Sequence, residues 1–174
     1  SKFNMRVDEC RSAAYALKAF SGMEYGKFEE TNLRDVPYET YLQYKDKLPE
    51  NWAKRAEHWY TEFARVEAGA EAWRRGDIEE FGRLSFESGF SSIHNWETGS
   101  PELIKLYEIM THIDGIYGGR FSGAGFKGGC MALIDPAYES EILENVERKY
   151  LASFPKLAGK YSAHICHTAD GVRL

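Results

Sequence analysis

Cysteine is scarce in this chain and badly placed for cross-linking. Cys10, Cys130 and Cys166 are odd in number and far apart, and no C-x-x-C pair occurs. That excludes a disulfide framework and points to free thiols in a reducing, cytoplasmic setting. Long apolar runs are missing too; none approaches the roughly 18 residues of a spanning helix. No basic segment followed by an apolar one opens the chain, so no secretory leader is read, and a start at Ser1 in place of Met is expected of a trimmed chain. There is no excess of basic charge: the net charge is -5, which argues against nucleic acid as the main partner, since a phosphate-backbone binder needs a basic stripe. The phosphate-loop pattern G-x-x-x-x-G-K-[ST] is absent, because Lys127 is followed by Gly128. His164, Cys166 and His167 come nearest to a metal cluster. In a strand, however, His164 and Cys166 share one face and His167 takes the other, so no metal site is assigned.

What is present suits one domain spanning 1–174. A hydrophobic fraction of 43% and an aromatic fraction of 14% provide for a sizeable core. Residues 5–20 read as a helix, with Val7, Cys10, Ala14, Leu17 and Phe20 at three- and four-residue steps, Asn4 as N-cap and Gly22 as stop. A short helix over 37–47 is followed by the longest periodic stretch, 52–75. There Ala56, Trp59, Tyr60, Phe63, Val66, Ala70 and Trp73 mark a wide buried stripe. Asp77 caps a helix over 78–88, residues 88–100 read as a polar loop, and Pro101 opens a helix over 102–112. The period then changes. Strands are expected over 116–121 and 129–134, an amphipathic helix over 137–154, a strand over 161–166, and a short last one over 172–174. The expected class is α+β, a helical front half packed on a small, mostly antiparallel, ferredoxin-like sheet.

Glycine is the exception to an ordinary composition. Seven of the 16 glycines fall in the stretch GIYGGRFSGAGFKGG, between Gly115 and Gly129, with apolar segments on both sides. Glycine permits positive φ and carries no Cβ, so such a loop can press its main chain against a ligand or another loop. A glycine-rich turn with no further duty is the other reading, although a two-residue turn needs far less glycine. G-x-G-x-x-G can be found only loosely here. It leads into a strand pattern rather than a helix, so a dinucleotide fingerprint is not supported.

GIYGGRFSGAGFKGGCMALID resembles the third motif of the GHMP small-molecule kinases, in the form used by the galactokinase branch. FNMRVDEC is similar to the Tyr-Asn-x-Arg-x-x-Glu-Cys segment of that branch. RAEHWYTEFARVEAGAEAWRRGDIEEFGRLSFES resembles its long helix pair, around His58, Glu62, Arg65 and Val66, and SPELIKLYEI and TADGVRL also fit. Galactokinases usually write the middle loop Ser-Leu-Arg-Asp-Asp-Tyr-Glu and the glycine loop GGGFGGC. Here Ser91-Ser92-Ile93-His94-Asn95-Trp96-Glu97 and GAGFKGGC stand instead, and these forms resemble the galacturonokinases.

The resemblance implies a GHMP-kinase C-terminal domain and ATP-dependent phosphorylation of a sugar's anomeric hydroxyl, with Mg²⁺. It also implies that the second-motif phosphate loop and the catalytic Asp belong to an N-terminal half of the same protein, outside this chain. ATP and Mg²⁺ would be bound mainly there, no catalytic or metal-ligating residue is assigned here, and this piece alone is expected to be inactive. Gly119, Arg120, Ser122, Gly123, Ala124, Gly125, Phe126 and Gly128 are the implied support for the phosphate loop. Arg120 either contacts phosphate or pairs with an acidic neighbour. Phe3 stands where a sugar-touching tyrosine is usual, and can stack on a sugar ring without donating a hydrogen bond. His94, Asn95 and Lys127 are read as a bias toward an anionic sugar, because a uronate carboxylate is repelled by paired aspartates and attracted by a lysine. The readings that remain are a galacturonate kinase, a galactokinase with a divergent loop, and a sugar-sensing module derived from such a kinase. Expected partners are a small-molecule sugar, a nucleotide and the N-terminal domain, with neither nucleic acid nor membrane, and self-association if the face toward that domain is apolar.

Overall fold

The structure is a computed structural model that describes residues 2–167, 169 and 171. Helix α1 (Lys2–Ser21) starts earlier than its apolar spacing indicates, so Asn4 lies inside the helix rather than capping it. Gly22 ends it as expected, at φ +71, with Met23 N–H returning to the Lys18 carbonyl at 3.0 Å. Two 3-10 turns lead to α2 (Tyr38–Tyr44). Ala13, Ala14 and Leu17 of α1 are fully buried. They form the first core with Leu33, Val36, Tyr41 and Leu48, and with Ala56 and Tyr60 of α3 (Glu50–Arg74).

The stripe expected on α3 is only partly buried. Arg55, Ala56, Tyr60, Gly69 and Ala72 are buried, whereas Phe63, Val66 and Trp73 are 56%, 63% and 49% exposed. The cause is a change of partner along the helix. Helix α1 covers its first half through Ala56 and Tyr60, and α4 (Ile78–His94) covers its second half beside Gly69. The buried line therefore winds around α3 instead of following one stripe.

Asp77 caps α4, accepting from Glu80 N–H at 3.1 Å. This helix does not stop near Ser88 but runs to His94. Its serines are an inward face and not a loop. Ser88, Ser91 and Ser92 are buried, and the Ser92 hydroxyl donates to the Ser88 carbonyl at 2.8 Å. Helix α5 (Pro101–Met110) opens under the Ser100 hydroxyl, which accepts from Leu103 N–H at 3.3 Å.

Strands β1 (Ile116–Phe121) and β2 (Cys130–Ile134) form an antiparallel hairpin, with Gly119 opposite Ala132 and an irregularity between Ile116 and Gly118. Helix α4 lies on β1 at backbone distance. A Cβ added to Gly82 or to Gly118 would fall inside the other element's main chain. Helix α6 (Glu139–Ser153) closes a second core, in which Ile109, Ile142, Val146 and Tyr150 meet Ile116 and Ile134. Leu103, Tyr107 and Phe121 form a third, under the end of the hairpin.

The ferredoxin-like sheet is not complete: among the described residues it has two strands. Residues 161–166 are not a strand. Alternation gives a segment two faces but no ladder, and here it has no face to bury: Ser162, Ala163, His164 and Cys166 are exposed. Tyr161 packs with its ring 5.5 Å from that of Tyr150. The strand expected over 172–174 lies outside the described residues.

Candidate functional site

The hairpin end is built from residues 122–129. Ser122 N–H donates to the Gly129 carbonyl at 2.9 Å and closes its neck, and Ser100 N–H donates to the Gly125 carbonyl at 3.0 Å, tying it to the cap of α5. Gly125 is buried, at φ +76. A Cβ there would sit 2.6 Å from the Phe121 ring and 3.4 Å from Gly99 N, so both the conformation and the space require glycine. Gly119 is buried within β1, while Ser122, Gly123, Ala124, Phe126, Lys127 and Gly128 are exposed. The arrangement is an anchored base with an open tip, able to present main-chain N–H groups outward.

Arg120 does not reach into that tip. It donates to Glu62 at 3.0 Å and to the Ser88 hydroxyl at 2.5 Å. Glu62 also accepts from Ser88 at 2.5 Å and from Arg65 at 2.9 Å. Burial works to raise the Glu62 pKa, but the Ser88 hydroxyl, Arg65 and Arg120 together outweigh it and hold the carboxyl below its usual range. Next to this cluster, His58 Nδ1 lies 2.9 Å from the Ser91 hydroxyl, with its ring 5.2 Å from Trp96. Burial pushes the His58 pKa down to about 4; Glu62 opposes this and Arg65, Arg120 and Arg55 reinforce it. A neutral, packed imidazole results.

A second network holds the turn after α4. Arg55 is fully buried and donates to Glu9 at 2.6 Å, to Glu97 at 2.6 Å and to the Asn95 carbonyl. Arg6 donates to the Trp96 carbonyl at 2.8 Å and to Glu9 at 3.1 Å, and Lys54 donates to Glu97 at 3.1 Å. Glu97 has φ 55 and is the non-glycine residue in the left-handed region among those described. The Arg55 bond, ahead of Lys54, outweighs burial and holds its carboxyl low.

The residues singled out for sugar do not line one common cavity. Asn95 donates to the Ser91 hydroxyl at 3.2 Å and borders a cavity of about 230 Å³ with Tyr41, Lys45, Asp46, Ala53, Lys54 and Glu57. Phe3, His94 and Lys127 do not line that cavity. Phe3 is 54% exposed on α1, the His94 ring lies tilted against that of Phe90 at the exposed end of α4, and Lys127 sits on the hairpin tip. Sequence reasoning passed over Arg55, Glu9 and Glu97, although the last two lie within the motifs FNMRVDEC and SSIHNWE. A basic residue beside an apolar stripe reads as solvated surface until its acidic partners from distant segments are placed around it.

The family model described as GHMP kinases C terminal matches residues 70–152. The chain is 40% identical over 176 residues to a galacturonokinase of Arabidopsis thaliana, covering 99% of this chain and 41% of that protein. It is 29% identical to the galactokinase of Homo sapiens over 174 residues, covering 100% of this chain and 40% of that protein. A solved structure of Lactococcus lactis galactokinase complexed with galactose superposes with a TM-score of 0.75 at 28% identity, covering 89% of this chain and 38% of that one. The chain thus spans about two fifths of the length of the relatives it matches.

Proposed function

This chain belongs to the GHMP kinases as a C-terminal domain of that family, and from that premise we propose that it is the C-terminal part of a sugar 1-kinase acting on galacturonate. The observation that carries the reading is the anchored glycine hairpin, whose buried Gly125 is bonded to the α5 cap while its tip stays open. The tip would lie beside a phosphate loop contributed by the N-terminal part of the protein and help hold its shape. The chain's fit to ATP is through main-chain N–H groups of residues 123–128, because the Ser122 N–H is engaged by the Gly129 carbonyl and the Arg120 guanidinium by Glu62 and Ser88. Mg²⁺ would be held mainly by the N-terminal part, together with the nucleotide phosphates. When bound, ATP supplies the transferred phosphoryl group. This chain positions and does not react, and alone it should not phosphorylate sugar.

The full-length protein, assayed with ATP against hexoses and uronic acids, should turn over galacturonate with a higher kcat/KM than galactose. Lys127→Ala should narrow that ratio, since a lysine near a uronate carboxylate contributes to the discrimination. Equal preference in both proteins would end the anionic-sugar reading. A strong preference for galactose is the second reading, favoured by the likeness to the galactose-bound relative. Sugar binding without phosphorylation would leave the sensing module.

A further inference from the structure

We infer that Arg55 is a positioning residue for the sugar side of the site, fixing the turn 95–100 against α1 and, through that turn, seating the glycine hairpin. The inference rests on the kinase reading just given. Arg55 is fully buried, and its guanidinium spans three pieces of chain: the Glu9 carboxylate on α1, the Asn95 carbonyl at the end of α4, and the Glu97 carboxylate beyond it. Arg6, one turn from Phe3 on α1, grips the same turn through the Trp96 carbonyl and shares Glu9.

A network of this kind is not mainly a source of stability. Removing two or three charges from water costs as much as their attraction returns, and well-packed apolar side chains stabilise such a site equally well. What a planar, five-donor cation adds is geometry, because each acceptor must sit in a set direction. The backbone shows what is being held. Glu97 has φ 55, a conformation that strains a non-glycine residue and persists where its surroundings impose it. Three cations, Arg6, Lys54 and Arg55, surround its carboxylate. From Glu97 the chain has two residues to reach Gly99 and Ser100. Ser100 N–H bonds the Gly125 carbonyl, and Gly99 lies under the Gly125 position. A change in the Glu97 backbone therefore moves the seat of the hairpin. The two segments that flank Arg55 also carry Phe3, His94 and Asn95, three of the four residues read toward the sugar.

The test uses the full-length protein with Arg55→Met, Arg55→Lys and Glu97→Gln, and with Arg83→Met as control. Arg83 binds Glu80 and Glu87 on the exposed side of α4. The sugar KM should rise about tenfold or more in Arg55→Met and in Glu97→Gln, as misplacement of a site edge predicts. Arg55→Lys should fall between these and wild type, and the double variant Arg55→Met/Glu97→Gln should be no worse than the worse single. Hydrogen exchange should quicken in peptides covering 95–100 and 122–129. A role in stability alone gives a lower Tm and less active enzyme with an unchanged sugar KM, and that result overturns the inference. So does unchanged exchange in those two peptides. If Arg55→Met does not fold, Arg55→Lys and Glu97→Gln decide the matter. If wild type phosphorylates no sugar, the kinase reading falls, and hydrogen exchange alone decides whether Arg55 positions the turn.

Discussion

His58 carries a charge decision that the rest of the molecule makes for it. Its imidazole is packed between the Ser91 hydroxyl and Trp96, and burial takes its pKa from the ordinary 6.5 down to about 4. In that interval the unfolded chain binds the proton and the folded chain does not. Stability is therefore whole above the unfolded pKa and falls as pH drops toward the folded one. Denaturant unfolding should show about 2 kcal/mol less stability at pH 5 than at pH 7, and His58→Gln should remove most of that slope. Glu62 and Glu97, both held low, lose their contributions only in more acid solution, so the interval from pH 7 to 5 isolates the histidine. An unchanged slope in the variant would show that the imidazole is free to ionise in the fold.

Helix α4 and strand β1 meet through glycine, and this contact sets the distance from the helices to the hairpin. Two helical glycines at the α4 interfaces should respond oppositely to alanine. Gly82 has no room for a Cβ against the Tyr117 backbone, so Gly82→Ala should cost about 2 kcal/mol or more despite the better helix propensity of alanine. A Cβ at Gly69 would meet Phe81 at 3.7 Å, an ordinary contact, so Gly69→Ala should stabilise by about 0.5–1 kcal/mol. Thermal unfolding of both variants checks the pair, and a shared sign would contradict the packing described. The example also shows which elements the sequence makes legible. Caps and stops were readable because their signals are local: Asp77, Ser100 and Gly22 act where they stand. The extension of α4 to His94 was not readable, because Ser88, Ser91 and Ser92 count as polar in a periodicity search. They are small side chains turned toward Glu62, His58 and their own helix carbonyl. The glycine hairpin stood out by composition, whereas Arg55 did not, since its value comes from partners 46 and 42 residues away.

At the scale of the whole molecule, α3 leaves one apolar face uncovered. Phe63, Val66 and Trp73 lie on the same side at helical spacing and are each about half exposed or more. Trp59 stacks on Phe63 with ring centroids 5.7 Å apart, which extends the patch toward the first core. Contiguous exposed apolar surface of this kind favours association. The isolated 174-residue chain should therefore self-associate with rising concentration. Phe63→Ser with Val66→Ser should shift sedimentation toward the monomer while leaving the far-ultraviolet circular dichroism in place. The substitutions touch neither core cluster that includes α3 nor the Gly69 contact with α4, so a loss of helix would indicate that the face is packed more tightly than its exposure implies. Association that persists unchanged would move the interface elsewhere, with the exposed Phe90 and Met131 as the next candidates.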